Sequence, residues 1–179
     1  MFKPDFILPI ENTDTEIEIK VKLDKFNFNS LQEWLKVNAQ YLGKTIQEDY
    51  YFDNPDNSWF KIHEEGYKYA LKYLRVRITD QGNSMCYKDW ETSDCKGKSG
   101  FYCKDLEIPI SDTKKHILLL ESIGFTDKTK IKKHRKSYLY EDFIIDIDTV
   151  KDIGTFIEFE VRNKIYNNPK TEYNRIKTL

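Results

Sequence analysis

Hydrophobic and polar residues alternate with a period of two along most of this chain. Such alternation sends successive side chains to opposite faces of an extended strand. It predicts strands at "TEIEIKVKL", "TIQEDYYFD", "KYLRVRITD", "SMCYKDW", "YCKDLEIPI", "KIKKHRKSYLY", "FIIDIDTV" and "TFIEFEVRN". Turn formers separate several of them: Asn54-Pro55, Gln81-Gly82-Asn83 and the run from Gly97 to Gly100. Two stretches switch to helical spacing. In "SLQEWLKVNAQYLG", Ser30 and Glu33 make a capping box, Leu31, Trp34, Leu35 and Leu42 share a stripe, and Gly43 closes the end. Trp34 is expected in the core under this helix. In "SDTKKHILLLESIG", Ser111 or Asp112 caps the start, Ile117, Leu120 and Ile123 lie near one face, and Gly124 ends it. The long amphipathic segment "NSWFKIHEEGYKYAL" reads either as a flap or as a connection carrying a short helix.

Many strands, few helices and no βαβ rhythm predict a mainly β, α+β protein built on an antiparallel sheet. The order strand, helix ending in Gly, then several strands runs from Glu16 to Trp90 and recurs from Tyr102 to Asn163. With no Pro- or Ser-rich linker between the halves, residues 1–179 are expected to form one domain of two similar lobes.

Composition narrows the picture. Aromatic residues reach 15%, which argues against disorder. Lys and Arg number 29 against 30 Asp and Glu, so no bulk charge draws the chain to nucleic acid or membrane. No apolar run is long enough for a signal peptide or a membrane span. Cys86, Cys95 and Cys103 lack metal or disulfide spacing and suggest reduced thiols in the cytoplasm.

Charge is instead sorted by strand. Glu16, Glu18 and Lys20 share one strand face. So do Arg75 with Arg77, Asp105 with Glu107, Lys133 with Arg135, Asp146 with Asp148, and Glu158 with Glu160; Lys88 lies on a further strand. Like charges side by side repel unless opposite charge or a cation intervenes. An ordinary solvated face would explain any single strand. For all of them together, a barrel with its charged faces turned inward is the better account. Carboxylates would then suit a hard divalent cation, and Arg and Lys a polyanion, as a metal-bound triphosphate requires.

These residues resemble the CYTH family of triphosphate tunnel metalloenzymes, which contains class IV adenylyl cyclases and thiamine triphosphatases. Glu16, Glu18 and Lys20 match its ExExK signature, and "DYYFDNP" its second strand. "LRVRI" supplies the paired arginines, Lys88 the strand lysine, and "KHRKSY" the K-x-R-x-x-Y element. "IDIDTVKDIGTFIEFE" resembles the acidic end, so the likeness runs from about 16 to 160. It implies a closed eight-stranded antiparallel barrel with a few flanking helices. It also implies Mg²⁺ or Mn²⁺ on Glu16, Glu18, Glu107, Asp148, Glu158 and Glu160. The triphosphate would rest on Lys20, Arg75, Arg77, Lys88, Lys133 and Arg135, with Glu16, Glu18 and Lys20 catalytic. Cys103 stands where the family usually carries arginine, and the closing helix of many members is expected to be thin or missing.

The resemblance leans to a cyclase turning ATP into cyclic AMP and pyrophosphate. Hydrolysis of thiamine triphosphate or inorganic triphosphate needs the same site, and a non-catalytic polyphosphate or nucleotide binder stays open. Relatives suggest a homodimer. The basic run from Lys128 to Lys136 could contact nucleic acid, but one face lining the lumen and the other solvated is preferred, so neither nucleic acid nor membrane is expected as a partner. The tyrosines are expected mostly on the barrel exterior.

Overall fold

The computed structural model describes residues 14–56, 58–62, 66, 68–70, 72–90, 102–125, 128–161 and 169–179. His63, Cys95 and the turn from Gly97 to Gly100 lie outside them. The chain runs β1 (Asp14–Leu23), α1 (Lys25–Asn38), β2 (Gln40–Phe52), β3 (Phe60–Ile62), β4 (Lys68–Ala70), β5 (Lys72–Thr79) and β6 (Asn83–Asp89). It continues with β7 (Tyr102–Ile110), α2 (Thr113–Ser122), β8 (Lys128–Tyr140), β9 (Phe143–Val150), β10 (Gly154–Val161) and α3 (Pro169–Ile176).

Eight strands close an antiparallel barrel in the order β1-β10-β9-β8-β2-β5-β6-β7, and β3 pairs only with β4. The expected mainly β tunnel is therefore present. Exchanging β1, β2, β5 and β6 for β7, β8, β9 and β10 maps this order onto itself, so the repeat read along the chain is also a repeat of topology. Closure leaves no edge strand and commits each strand to one inward and one outward face.

The outward apolar residues make the packing. Leu35 of α1 meets Ile145, Ile147 and Ile157 on the barrel wall. Leu120 of α2 packs with Phe52, Val76 and Ile110, supported by Ile117, whereas Ile123 stays exposed. Ile176 of α3 joins Ile17, Phe143 and Val161. Arg175 straps the same helix to Asp142 through two bonds of 2.7 and 2.9 Å.

Four local expectations need correction. First, α1 begins before Ser30: the Asp24 carboxylate accepts from the Asn27 N–H at 2.7 Å and caps the helix there. Ser30 sits inside it, with its hydroxyl donating to the Phe26 carbonyl at 3.3 Å. Gly43 is no helix end but part of a β-bulge in β2, at a φ of 141° open chiefly to glycine. Second, Trp34 is 41% exposed and packs edge-on against Tyr140 at 4.8 Å. Third, the segment after β2 holds the β3–β4 hairpin and no helix among its described residues. Fourth, the closing helix is present as α3.

Candidate functional site

Alternate residues of seven of the eight barrel strands line a lumen of about 630 Å³, counting its open mouth. Glu16, Glu18 and Lys20 reach it from β1, Arg75 and Arg77 from β5, Lys88 from β6 and Glu107 from β7. Lys133 and Arg135 arrive from β8, and Glu158 and Glu160 from β10. Asp148 of β9 is reached from the same space by Lys20 and Lys133. Every predicted site residue therefore belongs to one enclosed cluster. The parity of each strand is enough to explain this, because each i, i+2 pair lands on one face.

The pairing differs around the wall. Lys20 donates to Glu158 at 2.9 Å and to Asp148 at 3.3 Å. Lys133 donates to Asp148 at 2.6 Å. Arg135 forks onto Asp148 with two bonds of 2.7 Å, reaches Glu158 at 3.2 Å and also pairs with Asp146. Asp146 accepts a further bond from the Ser137 hydroxyl at 2.5 Å. Burial opposes ionisation of Asp148, but the Arg135 hydrogen bonds and charge outweigh it and hold the carboxyl down at about 2. Glu158 is likewise buried, and Arg135 and Lys20 keep it well below the usual carboxylate range. Burial, helped by the Arg135 charge, pulls Lys133 down to about 8 despite Asp148.

A carboxylate group faces this network. Glu16, Glu18 and Glu158 each offer an oxygen within 4.8 Å of the others. Lys88 donates to Glu16 at 2.6 Å and approaches Glu18 at 3.5 Å. Burial and the Glu158 charge push Glu18 up to about 8, against the pull of Lys88. Burial and then Glu16 push Glu160 up to about 8. Three clustered oxygen donors, one of them holding a proton because it is buried beside other carboxylates, fit a hard divalent cation. The structure does not put all six expected ligands in this group. Asp148 is taken up by cations, and Glu107 accepts from the Ser84 hydroxyl beside Asp105 and Cys86. The Cys86 thiol donates to Asp105 at 3.1 Å and is pushed up to about 12 by burial, so it enters the lumen as a thiol.

The opposite wall holds an exception. Arg77 clasps Asp49 through bonds of 2.7 and 2.8 Å. Arg75, only 6% exposed, has an Nε with no hydrogen-bond partner, although the Asp49 charge acts on its guanidinium. Its guanidinium lies 5.9 Å from the Tyr73 ring, and Tyr73 stands edge-on to Tyr51 at 5.2 Å. Both tyrosines line the lumen, two of the twelve in the chain.

Among the buried carboxylates and amides that sequence reasoning left unassigned are Asp49, Asp105, Asp146 and Gln47, of which Asp105 lines the lumen. Asp105 and Asp146 stood in acidic pairs already recognised, and Asp49 in "DYYFD". For Asp105 and Asp146 the i, i+2 relation to Glu107 and Asp148 was the available signal.

The profile of the CYTH domain matches residues 14–175. The chain belongs to the CYTH domain family. This CYTH domain also superimposes on solved structures. The PH1819 protein of Pyrococcus horikoshii matches with a TM-score of 0.72 and 24% identity, over 91% of this chain and 86% of that one. The PH1012 protein of the same organism gives 0.67 and 25%, over 90% and 84%. A candidate adenylate cyclase from Vibrio parahaemolyticus gives 0.64 and 17%, over 92% and 86%. No curated protein sequence matches the chain. No helix among the described residues is long and apolar enough to cross a membrane.

Proposed function

We propose that this CYTH domain is a metal-dependent enzyme that cleaves a triphosphate inside its barrel. The observation that carries the reading is Arg75, a buried guanidinium with an unused donor, in the same lumen as the Glu16, Glu18 and Glu158 oxygens. An unpaired buried cation is costly, and a phosphate oxygen would relieve it. Lys20, Arg77, Lys88, Lys133 and Arg135 surround the rest of the path with positive charge and orient the polyanion. Mg²⁺ or Mn²⁺ held by Glu16, Glu18 and Glu158, with Glu160 next to them, would neutralise charge developing on the phosphate oxygens. Glu107 and Asp148 then shape the field from outside that group.

The first reaction to test is conversion of ATP to cyclic AMP and pyrophosphate, the activity named for the Vibrio relative. Hydrolysis of thiamine triphosphate or tripolyphosphate is the second reading, favoured by a lumen lined by charge with Tyr51 and Tyr73 as its aromatic residues. With Mg²⁺ or Mn²⁺ present, each of the three compounds is incubated with the protein, and cyclic AMP, pyrophosphate and phosphate are measured. Metal-dependent product from any of them supports the enzyme. Thermal protection by all three with no product would make the protein a binder instead.

A further inference from the structure

The basic run of β8 turns only half of its side chains into the lumen. Lys133 and Arg135 line it, while Lys130, Lys132, His134 and Lys136 lie on the outer face, all four exposed. At ~3.4 Å per residue, alternate positions stand ~7 Å apart, so these groups form a row about 20 Å long.

The sequence pattern explains such a row as a solvated face. The fold adds groups from other elements that this explanation does not cover. On β2, Lys44 is exposed and stands directly opposite Lys136, and like charges in that relation destabilise a sheet. Among the described residues, Lys44, Lys132 and Lys136 have no ion pair. Carboxylates are scarce here: Glu48 takes Lys130 at 2.7 Å, and Asp80, just after β5, shares a shallow groove with Lys132. The β9 residues opposite His134 and Lys136 are the uncharged Thr149 and Ile147.

The row ends at a pocket. Leu35, Lys36 and Ala39 at the end of α1, Tyr41 of β2, and Lys136 and Tyr138 of β8 enclose about 650 Å³, counting open space. Tyr41 is 53% exposed, and its ring lies 5.3 Å from that of Tyr138. The pocket has an apolar floor, an open aromatic face and two ammonium groups, and none of these lining residues is a carboxylate. Lys36 touches Glu33 at 2.6 Å, but both are largely exposed, where such a pair contributes little. A small anion or an acidic peptide would use the lysines and leave the tyrosine face empty. A nucleotide strand uses both, because its phosphates follow a row of cations and an unstacked base lies on an aromatic ring.

We infer that the outer β2–β8 face binds single-stranded nucleic acid, with a base on Tyr41 and the backbone along Lys44, Lys136 and Lys132. This surface lies outside the barrel and does not depend on what the lumen cleaves. The balanced total charge conceals it, since the excess is local.

The test measures binding of an oligothymidylate of about 12 nucleotides, with a 5′-hydroxyl and a 3′ fluorescein, by anisotropy between about 50 and 200 mM salt. Three phosphate contacts at ~0.7 each should give log K against log salt a slope of about −2. Lys132→Gln combined with Lys136→Gln should flatten it to about −0.7. Tyr41→Leu should weaken binding about 10-fold without changing the slope, and Tyr41→Phe should restore it. Melting temperatures should stay near wild type in all three, because these side chains are exposed. Absence of binding at the lowest salt overturns the proposal, as does an unchanged slope in the double lysine variant. Equally tight binding of the matching duplex rules out a base on Tyr41 and overturns it too. Equally tight binding of polyglutamate assigns the face to an acidic protein segment and overturns the nucleic-acid reading.

Discussion

The two sides of the lumen solve opposite problems. On the β8–β9–β10 side, Lys20, Lys133 and Arg135 face Asp146, Asp148 and Glu158, and each charge already has a partner. On the β2–β5 side, Arg75 is buried with an Nε that has no hydrogen-bond partner. The first wall is internally paired when the chain folds, before any ligand enters. The second is completed only when something enters. A site can therefore be rigid and incomplete at once, provided the two properties are placed on different strands.

The largest effect is expected from Arg135→Ala. It takes the guanidinium from three buried carboxylates and leaves Asp146 with no cation among the described residues, and removing one partner of such a network costs about 3–5 kcal/mol. Chemical denaturation checks it; a loss below about 1 kcal/mol would show that the first wall does not support the fold. Next comes Glu18→Gln, which should reduce metal-dependent turnover by about 10²–10³-fold while the melting temperature holds or rises. Unchanged turnover would remove Glu18 from the metal group. Arg75→Met should then weaken triphosphate binding by about 1.5–3 kcal/mol, the range for a hydrogen bond to a charged group. Its stability should match or exceed wild type, since no native ion pair is lost. Calorimetry with a melting curve tests both halves, and a destabilised variant would show that Arg75 is already satisfied.

The smallest effect is on pH dependence. Glu18 and Glu160 titrate near 4.5 in the unfolded chain and at about 8 in the folded one. Between those values the folded state binds more protons, so metal-free stability should fall as pH rises from about 4.5 to 8. Saturating Mg²⁺ should flatten that slope. A metal-free melting temperature that climbs across the window would contradict the crowding of these carboxylates.

Much of the barrel was legible in the sequence because parity is a local property. β7 and β9 begin and end where the alternation does, and the face of each charged pair follows without knowing its neighbours. Features that depend on another element were not legible. Ser30 with Glu33 made a capping box in the sequence, and only the folded chain shows that Asp24 caps the helix six residues earlier. The α3 helix is short and polar, and it is held by Ile176 in the core and Arg175 on Asp142. In the site, Asp148 was expected on the metal because the resemblance places it there; that register also brings three cations onto it was not legible. Gln47 carries no charge, so nothing in its spacing set it apart until its burial was known.

The Arg135 fork has an evolutionary corollary. Since one guanidinium serves Asp146, Asp148 and Glu158 together, a single replacement at any of these four positions leaves a remainder of uncompensated charge. Across related sequences, change there should be inherited as coordinated swaps, whereas position 75 is free to drift alone whenever the ligand changes.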